Sequence, residues 1–275
     1  MSVPTNASHT DYQAAHVRLE ATLIPRFMLA VTSLANAANA RVGSKRGAMG
    51  QVPFDCSLAD CCDYTQHNGR RHLSALAKAM DSTAGKSIDE VIRSSSKLIL
   101  IDLGSGPGLS WLLFYYALLQ RQIISEISVI NIDHANQMHH IARTFKHITT
   151  LEHPETDDVN FRFSKETSLI DSFTTSELDS DTSVLIILNH VVNQTSRTNE
   201  TVPDFINNAI QSASRLAKRA NTSKIVGLSI EPRRMRGTFG QDGLMASLTP
   251  YSGAILAQSE IPGDRAGKSV ISFRF

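Results

Sequence analysis

Leu98-Ile-Leu-Ile-Asp102-Leu-Gly104-Ser-Gly106-Pro-Gly108 decides the fold. Its first half is an apolar run broken only by Asp102, the pattern of a strand buried on both faces of a parallel sheet. Its second half carries glycine at every other position, which lets the backbone turn tightly and come close to a ligand. Ser110–Gln122 then reads as a helix. A glycine loop between a buried strand and a helix lies outside the carboxyl end of that strand, where an open α/β sheet binds its ligand.

Downstream, the periodicity predicts strands at Ile127–Ile132, Asn160–Phe163, Ser183–Leu188 and Ile225–Ile230, and helices at Gln137–His147 and Phe205–Arg219. His139 and His140 read as solvent-facing, and Ser164–Asp181 as an acidic, solvent-facing segment. Ile255–Ser259 and Ser269–Phe273 read as a last strand pair. Gly263–Ser269 is its turn rather than a phosphate-binding loop, because three residues instead of four separate its glycines and too little chain follows for a helix. Upstream, Leu19, Leu23, Phe27, Ala30 and Leu34 recur at helical spacing between Asp11 and Arg41, and Pro25 should kink or split that stretch. A second helix covers Leu58–Met80, with Asn68-Gly69 as its weak point. Ser87-x-x-Glu90 reads as a capping box that opens a short helix. The expected architecture is α/β: a doubly wound, mostly parallel domain at 97–275, preceded by a helical extension at 1–96 that caps the site or selects the substrate.

The chain has 275 residues, 41% of them hydrophobic and 19% charged, which excludes wholesale disorder. A formal net charge of +1 excludes a uniformly basic nucleic-acid binder. The average hides a segregation: residues 148–207 carry a net −8 and residues 208–275 a net +6. Three clustered cysteines, Cys56, Cys61 and Cys62, are not a disulfide framework. With His67 and His72 they match a zinc pattern only loosely, so buried thiols are expected and no metal is assigned. No secretory leader pattern opens the sequence, and its longest apolar stretches are too short to span a bilayer. The expectation is a cytoplasmic protein with no membrane partner and an unassigned oligomeric state.

Dinucleotide sites use G-x-G-x-x-G, whereas Gly104, Gly106 and Gly108 follow G-x-G-x-G, and Pro107 removes an amide that a pyrophosphate would use. Asp102 is ill placed beside a pyrophosphate and well placed beside a cation. S-adenosylmethionine carries a sulfonium and an ammonium and no phosphate. A nicotinamide-dependent oxidoreductase is therefore disfavoured.

At these residues the chain resembles the class I S-adenosylmethionine-dependent methyltransferases. Asp102, Gly104, Gly106 and Gly108 match their first motif, and Asp133 closes the second strand where that family holds the ribose hydroxyls. The resemblance spans about residues 97–275 and implies a Rossmann-like, seven-stranded sheet with S-adenosylmethionine as cofactor. It implies cofactor contacts from Asp102, Gly104, Ser105, Gly106, Gly108, Asp133, His134 and Asn189. It also implies a methyl-transfer site at the end of the fourth strand, lined by Asn189 and His190 with Glu231 from the fifth. A narrower likeness is to the mitochondrial small-ribosomal-subunit assembly methyltransferase-like family, in Gly106-Pro107-Gly108, Leu188-Asn189 and Ile230-Glu231-Pro232. That family carries a cysteine-rich metal site in its C-terminal half, and this chain has no cysteine after Cys62.

Asn189-His190 lacks the N-P-P-aromatic signature of exocyclic-amine methylation. His190 has the side chain for a general base, with a structural histidine as the alternative. Arg233, Arg234 and Arg236 follow the fifth strand on the cofactor side and suit an anionic acceptor such as RNA or an anionic small molecule; a solvated loop is the alternative. Tyr64, Asn68, Arg70 and Arg71 are candidate substrate contacts from the helical extension; a solvated helix face is the alternative. The main functional alternative is a methyltransferase-like binding or assembly module that keeps the cofactor fold without turnover.

Overall fold

The computed structural model describes residues 11–38, 57–173, 177–189, 201–220, 224–232, 244, 248, 254–262 and 267–275. Four helices come first: α1 (Asp11–Ala21), α2 (Leu23–Ala37), α3 (Leu58–Met80) and α4 (Thr83–Arg93). Then follow β1 (Lys97–Leu103), α5 (Ser110–Phe114), β2 (Glu126–Ile132), α6 (Asn136–Glu152), β3 (Asn160–Ser164), β4 (Thr182–Asn189), α7 (Thr201–Ala220), β5 (Ile225–Pro232), β6 (Ala254–Ile261) and β7 (Lys268–Arg274).

The strands form one seven-stranded sheet in the order β3-β2-β1-β4-β5-β7-β6. The first five strands in the chain are parallel, and β7 runs antiparallel to both β5 and β6. Successive strand residues point to opposite faces, so each strand feeds two cores. On one face Leu98, Leu100, Val129, Leu185, Ile187, Val226 and Leu228 pack with apolar residues of α1 to α6. On the other, Ile99, Ile101, Leu103, Val184, Ile186 and Leu188 pack with Ile206, Ala209, Ile210 and Ala213 of α7. The doubly wound, mostly parallel α/β architecture expected from the sequence is the one observed.

That alternation also places the site. Asp102 shares its parity with Leu98 and Leu100, and Asn189 with Leu185 and Ile187. Both therefore face the layer that contains α3.

The first helical stretch is split in two as expected, at Thr22, with Pro25 in the first turn of α2, where its missing N–H costs nothing. Several other local expectations are corrected. Asn68-Gly69 does not interrupt α3, which runs 23 residues from a true capping box formed by Ser57 and Asp60. Ser87 opens no helix: α4 starts four residues earlier, capped by the Ser82 hydroxyl, and Ser87 Oγ donates to the Ala84 carbonyl inside it. Ser110–Gln122 is not one regular helix, because α5 widens into a π-helical turn at Tyr115–Leu119. The widening lets two adjacent bulky tyrosines both bury their rings, while Tyr115 Oη donates to Glu155 and Tyr116 Oη pairs with His153 Nε2. His139 is buried and packs against the Phe163 ring, whereas His140 is exposed. Within Ser164–Asp181, Ile170 and Phe173 are core residues, and Asp171 is held by Arg215. Among the described residues, no helix is long and apolar enough to cross a membrane.

Candidate cofactor and methyl-transfer site

The three glycines after β1 all adopt left-handed backbone, with φ of 63° at Gly104, 50° at Gly106 and 63° at Gly108. Side chains would strain each one, which explains the alternating pattern. The loop is tied to the end of β2: Gly104 N–H donates to the Ile132 carbonyl at 2.7 Å, and Gly106 N–H to Asp133 Oδ2 at 2.8 Å. Asp133 Oδ1 accepts from Ala135 N–H at 2.8 Å, so this carboxylate braces the loop and the start of α6 together. Burial raises the Asp133 pKa, opposed by nearby His134 and by the two backbone donors. His134 Nδ1 lies 3.7 Å from Asp133 Oδ1.

Asp102 is almost wholly buried at the end of β1. Burial pushes its pKa up to about 7, a hydrogen bond from Ser110 opposes the rise, and Asp133 adds to it. Among the described residues, its Oδ2 has no hydrogen-bond partner, and neither does the buried Ser105 Oγ. Unpartnered buried polar atoms are costly, and a pair of them in one loop calls for a ligand or water. An acceptor-only carboxylate oxygen suits an ammonium, so the donor set fits the methionine end of S-adenosylmethionine.

Helix α3 closes over this loop. The Tyr64 ring packs at Gly106, and His72, Gly69 and Leu73 line a cavity together with Asp102, Gly104, Ser105, Ser110 and Asn189. Its volume of about 20 Å³ holds roughly one water. Asn189 Nδ2 donates to the His72 carbonyl at 3.0 Å and ties β4 to α3. Burial, reinforced by Lys268 and Arg71, pushes the His72 imidazole down to about 3, so it is neutral at any working pH.

The structure thus brings together Asp102, Gly104, Ser105, Gly106, Gly108, Asp133, His134, Asn189 and Tyr64. Glu231 is buried, but β5 alternation turns it to the α7 face, away from Asp102 and Asn189. His190, Arg233, Arg234, Arg236 and Cys56 lie outside the described residues. Cys61 and Cys62 are buried and form no disulfide among the described residues, and burial pushes Cys62 up to about 11. Sequence reasoning weighed His72 only as a metal ligand. Its signal was the four-residue spacing Tyr64, Asn68, His72, which aligns all three along one face of α3.

No protein-family model and no curated protein sequence matches the chain. Solved structures resemble it in fold. Magnesium protoporphyrin IX methyltransferase from Synechocystis PCC 6803, with bound S-adenosylmethionine, is 12% identical over 98% of this chain and 99% of that one, at a TM-score of 0.42. An arsenic(III) S-adenosylmethionine methyltransferase from Chlamydomonas reinhardtii is 15% identical over 73% of this chain and 72% of that one, at 0.41. TrmK from M. capricolum, in complex with S-adenosylhomocysteine, is 12% identical over 68% and 67%, at 0.35. Scores this low carry no weight beside the sheet itself, where β7 is inserted antiparallel between β5 and β6 behind a parallel 3-2-1-4-5 order. The chain has the class I methyltransferase fold. In this chain the loop after β1 is Gly104–Gly108 and the acidic residue after β2 is Asp133.

Proposed function

We propose that the protein transfers a methyl group from S-adenosylmethionine to an anionic acceptor, RNA or an anionic small molecule. The observation that carries this reading is the buried Asp102 carboxylate, with one oxygen lacking a partner among the described residues, beneath a glycine loop whose three left-handed positions disfavour side chains. When bound, the cofactor supplies an electrophilic methyl on a sulfonium. Asp102 holds the ammonium end. Asp133 accepts from the ribose hydroxyls with lone pairs that Gly106 and Ala135 leave over. Asn189, Tyr64 and neutral His72 line the transfer site and exclude water, so that positioning and desolvation lower the barrier. His190 is the candidate general base, and Arg233, Arg234 and Arg236 are candidate acceptor contacts. Residues 97–275 form the catalytic unit, with residues 1–96 as its cap; α3 must move outward to admit the cofactor, since the cavity beneath it holds about one water.

Calorimetric titration with S-adenosylhomocysteine tests the cofactor assignment. Asp133→Ala is expected to weaken binding by about tenfold, ~1.4 kcal/mol, without unfolding the chain. An unchanged affinity removes Asp133 from the ribose role.

A second reading, a cofactor-binding module without turnover, has one observation in its favour. The Asn189 amide is already committed to the His72 carbonyl, a structural use of a residue at the transfer site. It requires cofactor binding with no methyl incorporation into RNA or small-molecule acceptors, which a radiolabelled methyl-transfer assay reads directly.

A further inference from the structure

A groove of about 250 Å³ runs between α1, α3 and the facing ends of β6 and β7. Among the described residues, four cations line it: Arg70, Arg71 and Lys78 from α3, and Lys268 from β7, nearly two hundred residues away in sequence. Glu20 is the one carboxylate among the described residues of its wall, 3.8 Å from Arg70. His16 is there too, its pKa lowered chiefly by burial, with Glu20 raising it and Lys78 lowering it. Ser74 adds a hydroxyl donor one turn from both arginines. Two elements, α3 and β7, thus converge to concentrate positive charge in a chain of net charge +1. Like charges gathered in one cleft repel each other, and a bound polyvalent anion relieves that cost.

The groove also borders the site described above. Arg71 and Lys268 both act on the His72 imidazole, and His72 carries the carbonyl that holds Asn189. Guanidinium groups match phosphate oxygens in bidentate geometry, and lysines add point charges. We propose that this groove is a phosphate-binding site for the methyl acceptor, with Arg70, Arg71, Lys78 and Lys268 as its cations. The phosphate belongs to a nucleic-acid backbone or to a phosphorylated small molecule. The link to the acceptor rests on the methyl-transfer reading; anion binding itself does not.

The test uses the full chain in two arms. Fluorescence anisotropy follows a labelled single-stranded RNA oligonucleotide, and calorimetry follows inorganic pyrophosphate. Binding in either arm is expected to weaken roughly tenfold in an Arg70→Gln/Lys78→Gln double variant, and the RNA salt slope to fall by about one per cation removed. Glu20→Gln, which deletes the opposing carboxylate, is expected to tighten binding by about threefold at low salt, a gain that misfolding cannot produce. RNA binding with a steep salt slope identifies a backbone phosphate, and pyrophosphate binding without RNA binding identifies a small phosphorylated acceptor. Absence of binding in both arms, or double-variant and Glu20→Gln affinities equal to the parent's, overturns the proposal. Titration with S-adenosylhomocysteine on the same samples separates the two claims. Cofactor binding without anion binding rejects the groove alone, and anion binding without cofactor binding rejects the methyl-transfer reading alone.

Discussion

Asp102 concentrates the chemistry of the site in one residue. Its pKa, pushed up to about 7, means that the native state holds a proton between about pH 4 and pH 7 that the unfolded chain has released. Stability contributed by that proton is present below about pH 4 and lost as pH rises through about 7. Asp102→Asn, neutral throughout, is therefore expected to raise the thermal midpoint relative to the parent at about pH 8 and to give no such gain near pH 4. A thermal-denaturation series across that range reads the difference, and a parallel pH dependence in both proteins removes the buried-carboxylate account. Cofactor affinity should run the opposite way, falling as pH drops below about 7, because an ammonium selects the ionised form. Gly108 is a second single-residue test. Its φ of 63° would strain a side chain by about 1–2 kcal/mol. An added Cβ would also lie 2.9 Å from that of Ala142 in α6. Gly108→Ala should lower the urea midpoint and weaken cofactor binding together.

At the scale of elements, the N-terminal helices are fastened by a partly buried polar network. Tyr12 Oη donates to Asp89 Oδ1 at 2.6 Å, Arg93 Nε donates to Asp89 Oδ2 at 2.5 Å, and Arg93 and Arg121 both reach Asp11. Asp89→Ala removes the shared acceptor and should cost about 3 kcal/mol in a denaturant titration, by stranding the buried Tyr12 hydroxyl and part of the Arg93 charge. The same helices move if α3 is a cap, so hydrogen exchange across residues 57–80 should change when S-adenosylhomocysteine binds. Unchanged exchange there removes α3 from the entry route. The strands were legible in the sequence because a period of two and buried Ile-Leu-Val runs are local signals, and the glycine loop because its φ values demand glycine. The start of α4 was not, because Ser87-x-x-Glu90 carries the fuller local capping pattern and only packing selects Ser82 instead. The π-helical turn was hidden for a similar reason: Tyr115 and Tyr116 widen the helix to reach Glu155 and His153, partners about forty residues on. His72 escaped notice because its role comes from the approach of α3 to β4, which no local pattern encodes.

Across the whole molecule, the near-zero net charge resolves into regions with separate work. The acidic stretch before β4 meets the basic end of α7 through Asp171 and Arg215. Positive charge instead gathers beside α3, at the carboxyl edge of the sheet where the glycine loop opens. One face of the sheet carries α7 and a conventional core, and the other carries the helices that cover Asp102, Gly104–Gly108 and Asn189. Placing the cofactor beneath α3 is the central claim, and calorimetric titration of S-adenosylhomocysteine into the parent chain and Asp102→Asn at about pH 8 tests it most directly. Saturable binding of one cofactor per parent chain, lost in a folded Asp102→Asn variant, is the expected result; no binding heat in the parent, or equal affinity in the two proteins, contradicts it.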